Sequence, residues 1–325
     1  MECVGRYDRT TLLANWRDEL ITVLHALDRL LFALDDRLPW RRAIREQFQN
    51  ADAVRRPHGL DGVVLGAEAI RLDASVTHAV LLIHGFNDTP QSMAPLAIAL
   101  HAAGWTVHIP RLPGHGCDLP TMARQANAAQ WTACVFDTYR ALRATHDVVA
   151  VCGLSMGAAL SATLAAQYRD IPALVLLSPY IGMPRPLQVA LIAAWVVQCI
   201  RPYRRGTGGE RSIHDPLARA KSLGPGILTA RMLTELRTVA RRAQAVLPQL
   251  CMPTLYLQSR EDNRITMHAA ERNFSTLGAS AGAPMIRVQR WLSGCGHIIT
   301  VDYCRTDVAR EVLAWITTYA GTPAD

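Results

Sequence analysis

The sequence predicts an α/β fold in which a mostly parallel central sheet carries helices on both faces and one long insertion interrupts the sheet. Three observations lead there. From about residue 62, short apolar runs rich in β-branched residues alternate with helix-length segments, the rhythm of repeated strand–helix–strand units. That rhythm breaks between Ser178 and Pro253, a gap too long for a structureless loop. The composition, 325 residues with 50% hydrophobic and 19% charged, suits a globular chain that buries about three quarters of the surface its unfolded form exposes. The expected organisation is a helical extension over 1–60 and a main domain over 61–325, with a cap inserted at about 180–250.

The elements follow in order. Leu13, Trp16, Leu20, Leu24, Leu27, Leu31, Leu34 and Leu38 recur in steps of three and four, which makes one apolar stripe on a long helix ended by Pro39. Such a helix packs on the domain or a partner subunit, or lies on a membrane surface. Asp and Glu balance Arg on its polar side, which favours packing. Strands are expected at 79–83, 106–109, 148–152, 173–177 and 254–258, with a weaker one at 285–289, and helices near 91–103, 129–143 and 156–168. Between Ser178 and Pro253 the sequence supplies helical segments and an Arg/Gly-rich loop at 201–211, without a clear strand.

Charge and cysteine usage narrow the partners. The net charge is +7, carried almost wholly by Arg, with Lys221 the one Lys. These residues are scattered among Ala-rich stretches, which reads as compositional bias and not as a phosphate-binding stripe, so no nucleic-acid partner is expected. The eight cysteines are irregularly spaced and read as free thiols in a reducing compartment. Cys295, His297 and Cys304 could suggest a metal site, but no Cys-x-x-Cys pair completes a ligand set. The run Val189–Val197 spans nine apolar residues, whereas a membrane-spanning helix needs about 20. With no basic-then-apolar start, a cytoplasmic protein is expected.

The chemistry centres on one turn. The strand Val148–Cys152 runs into Gly153-Leu154-Ser155-Met156-Gly157 and then into a helix beginning at Ala158. In that context Ser155 sits on a sharp turn with its hydroxyl clear of the sheet, and the two glycines relieve backbone crowding. The helix N-terminus behind it favours developing negative charge. A serine needs a base, and a third group must orient that base. Of the downstream histidines His214, His268 and His297, only His297 lies in a Gly-rich loop between the last strand and the helix Thr306–Tyr319. The acid should follow the strand 254–258, where Glu261 and Asp262 stand side by side. Two N–H donors are needed for an oxyanion, and Met156 and Phe86, the latter in the loop after Leu81-Leu82-Ile83-His84-Gly85, are the candidates. His84 and His115 are read as braces for their loops.

His84-Gly85-Phe86, Pro110-Arg111-Leu112-Pro113-Gly114-His115-Gly116, Gln130-Trp131-Thr132, Gly153-Leu154-Ser155-Met156-Gly157, Gln258-Ser259-Arg260-Glu261-Asp262 and His297 followed by Asp302 occur in that order. Together they resemble the bacterial thermostable carboxylesterases and monoacylglycerol lipases of the α/β-hydrolase superfamily, over roughly residues 62–318 without most of the cap. The resemblance implies an α/β-hydrolase fold, a triad of Ser155, Asp262 and His297, and an oxyanion pair of Phe86 and Met156; it also decides for Asp262 over Glu261. It implies a serine carboxylic-ester hydrolase acting through an acyl-enzyme on small-molecule mono-acyl esters such as monoacylglycerols, with no cofactor or metal. The chain departs from the pattern at Ala158, where a second glycine usually stands, in its first 60 residues, and in an Arg-rich cap. Thioesterase, peptidase, acyltransferase and carbon–carbon hydrolase chemistry share the scaffold; dehalogenases and epoxide hydrolases would need Asp at position 155. A non-catalytic binding protein would normally lack a triad member, and every position is filled.

The cap offers one further expectation. Between Pro186 and Pro202 the segment Leu187–Arg201 is apolar nearly all round, more than one buried stripe requires. Either the helix is sandwiched inside the cap, or one face lines an acyl-chain tunnel, with Trp195 and Val196 as substrate contacts. Peripheral contact with a lipid surface is left open by the N-terminal stripe.

Overall fold

The computed structural model describes residues 37–206, 209–282 and 285–323, together with 23, 26–31, 33 and 34. Leu13, Trp16, Leu20 and Leu24 of the expected N-terminal stripe lie outside these residues, as do the side chains of Val189 and Ile192 in the cap helix. A seven-stranded sheet organises the molecule. Its strands are β1 (Ile70–Leu72), β2 (His78–Ile83), β3 (Thr106–Ile109), β4 (Val148–Leu154), β5 (Leu174–Leu177), β8 (Thr254–Ser259) and β9 (Arg287–Leu292), in the spatial order β1-β3-β2-β4-β5-β8-β9. Only β1 runs antiparallel to its neighbour. The expected strands are all present; the three-residue β1 is an addition, too short to register as a pattern.

The strands are apolar on both faces because helices cover both. Along β2 and β4, Ala79, Leu81, Ile83, Val149 and Val151 face a core shared with Trp131, Val135 and Tyr139 of α4 (Ala128–Arg143), with α5 (Met156–Gln167), and with Leu236, Val239 and Ala243 of α9 (Ala230–Val246). The intervening Val80, Leu82, Ala150 and Cys152 face the opposite core, with Leu96 and Leu100 of α2 (Ala94–Ala102) and Val308, Val312 and Ile316 of α11 (Arg305–Ala320). This period-two division is what a sheet between two helical layers imposes. Two further helices, α3 (Leu119–Gln125) and α10 (Met267–Thr276), complete the layers.

Between β5 and β8 the chain forms α6 (Arg185–Ile200), the two-residue strands β6 (Arg204–Arg205) and β7 (Ile227–Leu228), α7 (Gly209–Ser212), α8 (Pro216–Ala220) and α9. The β6–β7 pair is antiparallel and was not expected, since two residues carry no periodicity. Pro39 does not simply stop a helix: it opens α1 (Pro39–Arg55) at the first helical position, where its missing N–H costs nothing. α1 docks through Phe48, which packs on the core beside Tyr203, and through polar groups. Arg41 donates to the Gln198 and Cys199 carbonyls at 2.5 and 2.6 Å, and the Asp52–Arg56 pair is buried with Arg56 donating to Leu223 O at 3.1 Å. Earlier, buried Asp28 accepts from Gln198 Nε2 at 2.7 Å and pairs with Arg231 at 3.3 Å. Leu31 is buried, and Leu27 packs against Ala194, Trp195 and Ala230.

The expectation of eight free thiols is corrected. Cys295 and Cys304 form a disulfide across a Cα–Cα distance of 5.9 Å. The turn that carries His297 folds back onto the start of α11 and brings together two cysteines nine positions apart. With this bridge in place, the cysteines no longer point to a reducing compartment. Among the described residues, no helix is long and apolar enough to cross a membrane.

Candidate active site

The site is built where β4 meets α5. Ser155 stands between them with φ 56° and ψ −112°, a backbone region that a non-glycine residue occupies only when its surroundings enforce it. The enforcement is visible. Ser155 N donates to Leu177 O at 2.8 Å, and Ser155 O accepts from Tyr180 N at 3.1 Å. A Cβ on Gly157 would lie 2.1 Å from Ile83 O, and one on Gly153 would lie 2.3 Å from Gly157 O. Only glycine lets α5 approach the sheet this closely.

His297 and Asp262 converge on that serine from separate loops. Ser155 Oγ lies 2.8 Å from His297 Nε2, and His297 Nδ1 lies 2.7 Å from Asp262 Oδ2. Asp262 Oδ1 accepts from the N–H groups of Arg264 and Ile265 at 2.7 and 3.0 Å. Burial alone would raise the Asp262 pKa; the facing His297 and these N–H donors outweigh it and hold it below the usual carboxylate value. Glu261 is exposed, accepts from Gly294 N at 3.0 Å and lies 3.7 Å from His214 Nδ1, away from the His297 ring's partners. His214 and His268 do not join the cluster of Ser155, Asp262 and His297.

Two supporting residues carried no role in the sequence reading. Gln258, at the end of β8, donates to Asp262 Oδ2 at 2.7 Å, fixing the carboxylate that faces the imidazole. Buried Asp302 accepts from the N–H groups of Gly296, His214, Asp215 and Tyr303 at 2.7–2.9 Å and so ties the His297 loop to the α7–α8 segment. Burial presses its pKa upward, and the four N–H groups pull it below the ordinary value. A carboxylate shortly after a histidine was the available signal, but its partners are backbone groups that no motif names.

The oxyanion candidates come from two segments that meet at Ser155: Met156 follows it in the chain, and a Cβ on Gly85, next to Phe86, would lie 3.5 Å from Ser155 Cβ. Met156 opens α5, so its N–H has no acceptor within the helix. Phe86 lines the same cavity as Ser155, in a loop held from below. His84 is fully buried; its Nε2 accepts from Leu112 N at 3.1 Å and its Nδ1 faces Gly85 O at 2.9 Å. Burial and the neighbouring His115 drive its pKa well below the usual imidazole value, so it stays neutral; burial likewise lowers His115 to about 4. The rings of Phe86, His115 and Trp131 meet edge to face at 5.3–6.3 Å. Both histidines brace the loop. Asp88, three residues past Gly85, is buried with Ser92 Oγ donating to it at 2.5 Å.

Ser155 and His297 open into a cavity of about 580 Å³. Its walls include Tyr180, Leu187, Ala190, Leu191, Ala194, Leu233 and Leu236. Trp195 and Val196 are not among them, which corrects the expected substrate contacts. Trp195 turns to α9 and donates to Thr234 Oγ1 at 3.1 Å, while Val196 is 66% exposed. The helix does present an apolar face to the cavity, but the spacing 187, 190, 191, 194 selects it, and Trp195 and Val196 fall on the next faces round.

The comparisons with known proteins agree with this geometry. Residues 74–297 match the family described as serine aminopeptidase, S33. The chain is 31% identical over 243 residues to a thermostable monoacylglycerol lipase of Bacillus sp. (strain H-257), covering 74% of this chain and 91% of that protein. A carboxylesterase of Bacillus subtilis (strain 168) is 24% identical over 243 residues, covering 73% and 92%. Among solved structures, one from a study of the metagenome-derived lipolytic enzymes LipS and LipT superposes with TM-score 0.70 at 30% identity, covering 79% of this chain and 99% of that one. The monoacylglycerol lipase of Paleococcus ferrophilus shares the fold, with TM-score 0.64 at 18% identity over 77% of this chain and 98% of its own. The chain belongs to the serine aminopeptidase S33 family, and is an enzyme of the serine hydrolase class with the α/β-hydrolase fold, similar to carboxylesterases and monoacylglycerol lipases.

Proposed function

We propose that the protein hydrolyses carboxylic esters of single acyl chains, monoacylglycerols among them, through an acyl-enzyme formed on Ser155. The observation that carries this reading is the Ser155 Oγ–His297 Nε2 separation of 2.8 Å at the floor of a largely apolar cavity. In the first step Ser155 Oγ attacks the ester carbonyl carbon while His297 takes its proton. The N–H groups of Phe86 and Met156 hold the oxyanion, and Asp262 sets the imidazole tautomer and balances its charge. The ester C–O bond then breaks, and the leaving alkoxide takes the proton from His297. Water, deprotonated by His297, attacks the acyl-serine; the fatty acid leaves and Ser155 regains its proton.

The buried face of α6, with Leu191 and Ala194, supplies the surface an acyl chain needs. The family's description names an aminopeptidase, which must hold a protonated amine beside the scissile bond. Among the described residues, the cavity wall carries arginines and no carboxylate, so an ammonium group would meet like charge and no counter-charge there. A panel of p-nitrophenyl esters from acetyl to decanoyl, run beside monoacylglycerols and amino-acid p-nitroanilides, tests the reading. Ester turnover that rises with chain length is expected. Turnover confined to the anilides would overturn it.

A further inference from the structure

Five arginines, far apart in sequence, meet around the cavity: Arg55 from α1, Arg204 and Arg205 from β6, Arg219 from α8 and Arg264 after β8. Four of them are exposed and Arg219 is half-buried, whereas the apolar lining at Leu191, Ala194, Ile213 and Leu236 is buried. The cavity is therefore apolar inside and cationic at its rim. Arg55 and Arg219 are steadied by carbonyls, donating to Gly224 O at 2.5 Å and Ile213 O at 3.1 Å. Arg205 lies over the Phe48 ring at 5.9 Å. Partial burial of its guanidinium and the adjacent Arg56 charge press Arg55 below its ordinary value; Asp52 opposes this, and Arg205 adds a smaller downward push. Arg55 and Arg205 repel each other at this rim, and an anion seated there would relieve that repulsion.

We infer that the preferred substrates are acyl esters whose alcohol part bears an anionic group, phosphate or carboxylate, seated on the Arg204–Arg205 rim while the acyl chain fills the apolar interior. This rests on the ester-hydrolase reading above and adds the headgroup to it. The bond cleaved is still the carboxylic ester; the phosphate or carboxylate is held and left intact, released with the alcohol. Guanidinium groups suit this task because their planar donor forks match both anions. A glycerol headgroup offers them no charge to pair.

Hexanoyl glycerol, hexanoyl glycerol 3-phosphate and hexanoyl glycerate, of equal chain length and used below aggregation, separate the headgroups. Wild type should show kcat/KM at least about tenfold higher on an anionic ester than on the neutral one, since one charge-assisted contact is worth about that factor. The advantage should shrink in 0.5 M salt. The arm that wins, phosphate or carboxylate, identifies the anion. Arg204→Ala/Arg205→Ala should collapse the preference, and Arg310→Ala, exposed, paired with Asp307 and outside the cavity wall, should not. Equal rates on all three esters, or a preference indifferent to salt and to the double variant, would overturn the inference. Titration of Ser155→Ala protein with the same compounds reads binding without turnover. Tighter binding of the anionic esters there upholds the rim even if catalysis fails, whereas equal affinity overturns it.

Discussion

Replacing Gly157 by alanine perturbs the turn that presents Ser155 and touches no reacting atom. The added Cβ would sit 2.1 Å from Ile83 O and 2.6 Å from His84 O, against ordinary contacts of 3.4 Å or more. The start of α5 must retreat from β2 by about 1.3 Å, the difference between that ordinary contact and the 2.1 Å approach. Neither partner can yield by rotating a side chain, because both are backbone. Overpacking of this kind costs about 1–3 kcal/mol and more where the backbone is fixed, so a loss of about 3 kcal/mol is expected. The same displacement moves Ser155 and Met156 against Phe86, and an error of about 1 Å in a reacting geometry costs about a hundredfold. The loss should fall on kcat more than on KM. Urea unfolding and p-nitrophenyl butyrate kinetics measure the two effects. Gly209→Ala is the stability control, since its Cβ meets nothing within 4 Å and should shift stability by no more than about 0.5 kcal/mol. Matching urea midpoints for the two variants, with full kcat in Gly157→Ala, would show that this turn does not require glycine.

Asp262→Asn should cost about 10⁴ in kcat by presenting the wrong imidazole tautomer, while Glu261→Gln, exposed and off the His297 ring, should cost little; the reverse ranking would show that the acid is misassigned. Burial raises Asp88 to about 6 despite its Ser92 partner, so the native state holds this proton more tightly than the unfolded chain. That contribution to stability is complete below about pH 4 and is lost as pH rises through 6, amounting to at most about 3 kcal/mol. In Asp88→Asn this fall should vanish from urea midpoints measured between pH 4.5 and 7.5, and an unchanged pH profile would sink the assignment. Leu191→Trp should shorten the preferred acyl chain, each excluded methylene costing about fourfold in kcat/KM; an unaltered chain-length profile would place the chain elsewhere.

The sheet and the Ser155 turn were legible because their determinants are local. Val148–Leu154 is a β-branched run leading into Gly-x-Ser-x-Gly, and the same few residues fix both the strand and the elbow. His297 and Asp262 followed from the chain order this fold imposes, with resemblance needed to choose between adjacent carboxylates. The rest depends on tertiary partners. α1 buries Arg41 and Asp52, with Phe48 its partly buried contact to the core, so its position depends on the Gln198 and Cys199 carbonyls, more than 150 positions away. Trp195 and Val196 failed because residue type suggested substrate contact, while the packing of α9 and Leu27 decides which face of α6 looks inward. The rim arginines looked scattered for the same reason, since only the fold brings positions 55, 204, 205, 219 and 264 together. Irregular cysteine spacing hid the Cys295–Cys304 bridge, which a turn of the chain creates.

The covalent intermediate tests the central claim most directly. Wild-type protein reacted briefly with p-nitrophenyl hexanoate and quenched in acid should carry one hexanoyl group, located to Ser155 by peptide mass spectrometry, with a matching burst of p-nitrophenol. Ser155→Ala should remain folded, show neither adduct nor burst, and lose nearly all turnover. An acyl group on another residue, or undiminished turnover in Ser155→Ala, would contradict the account.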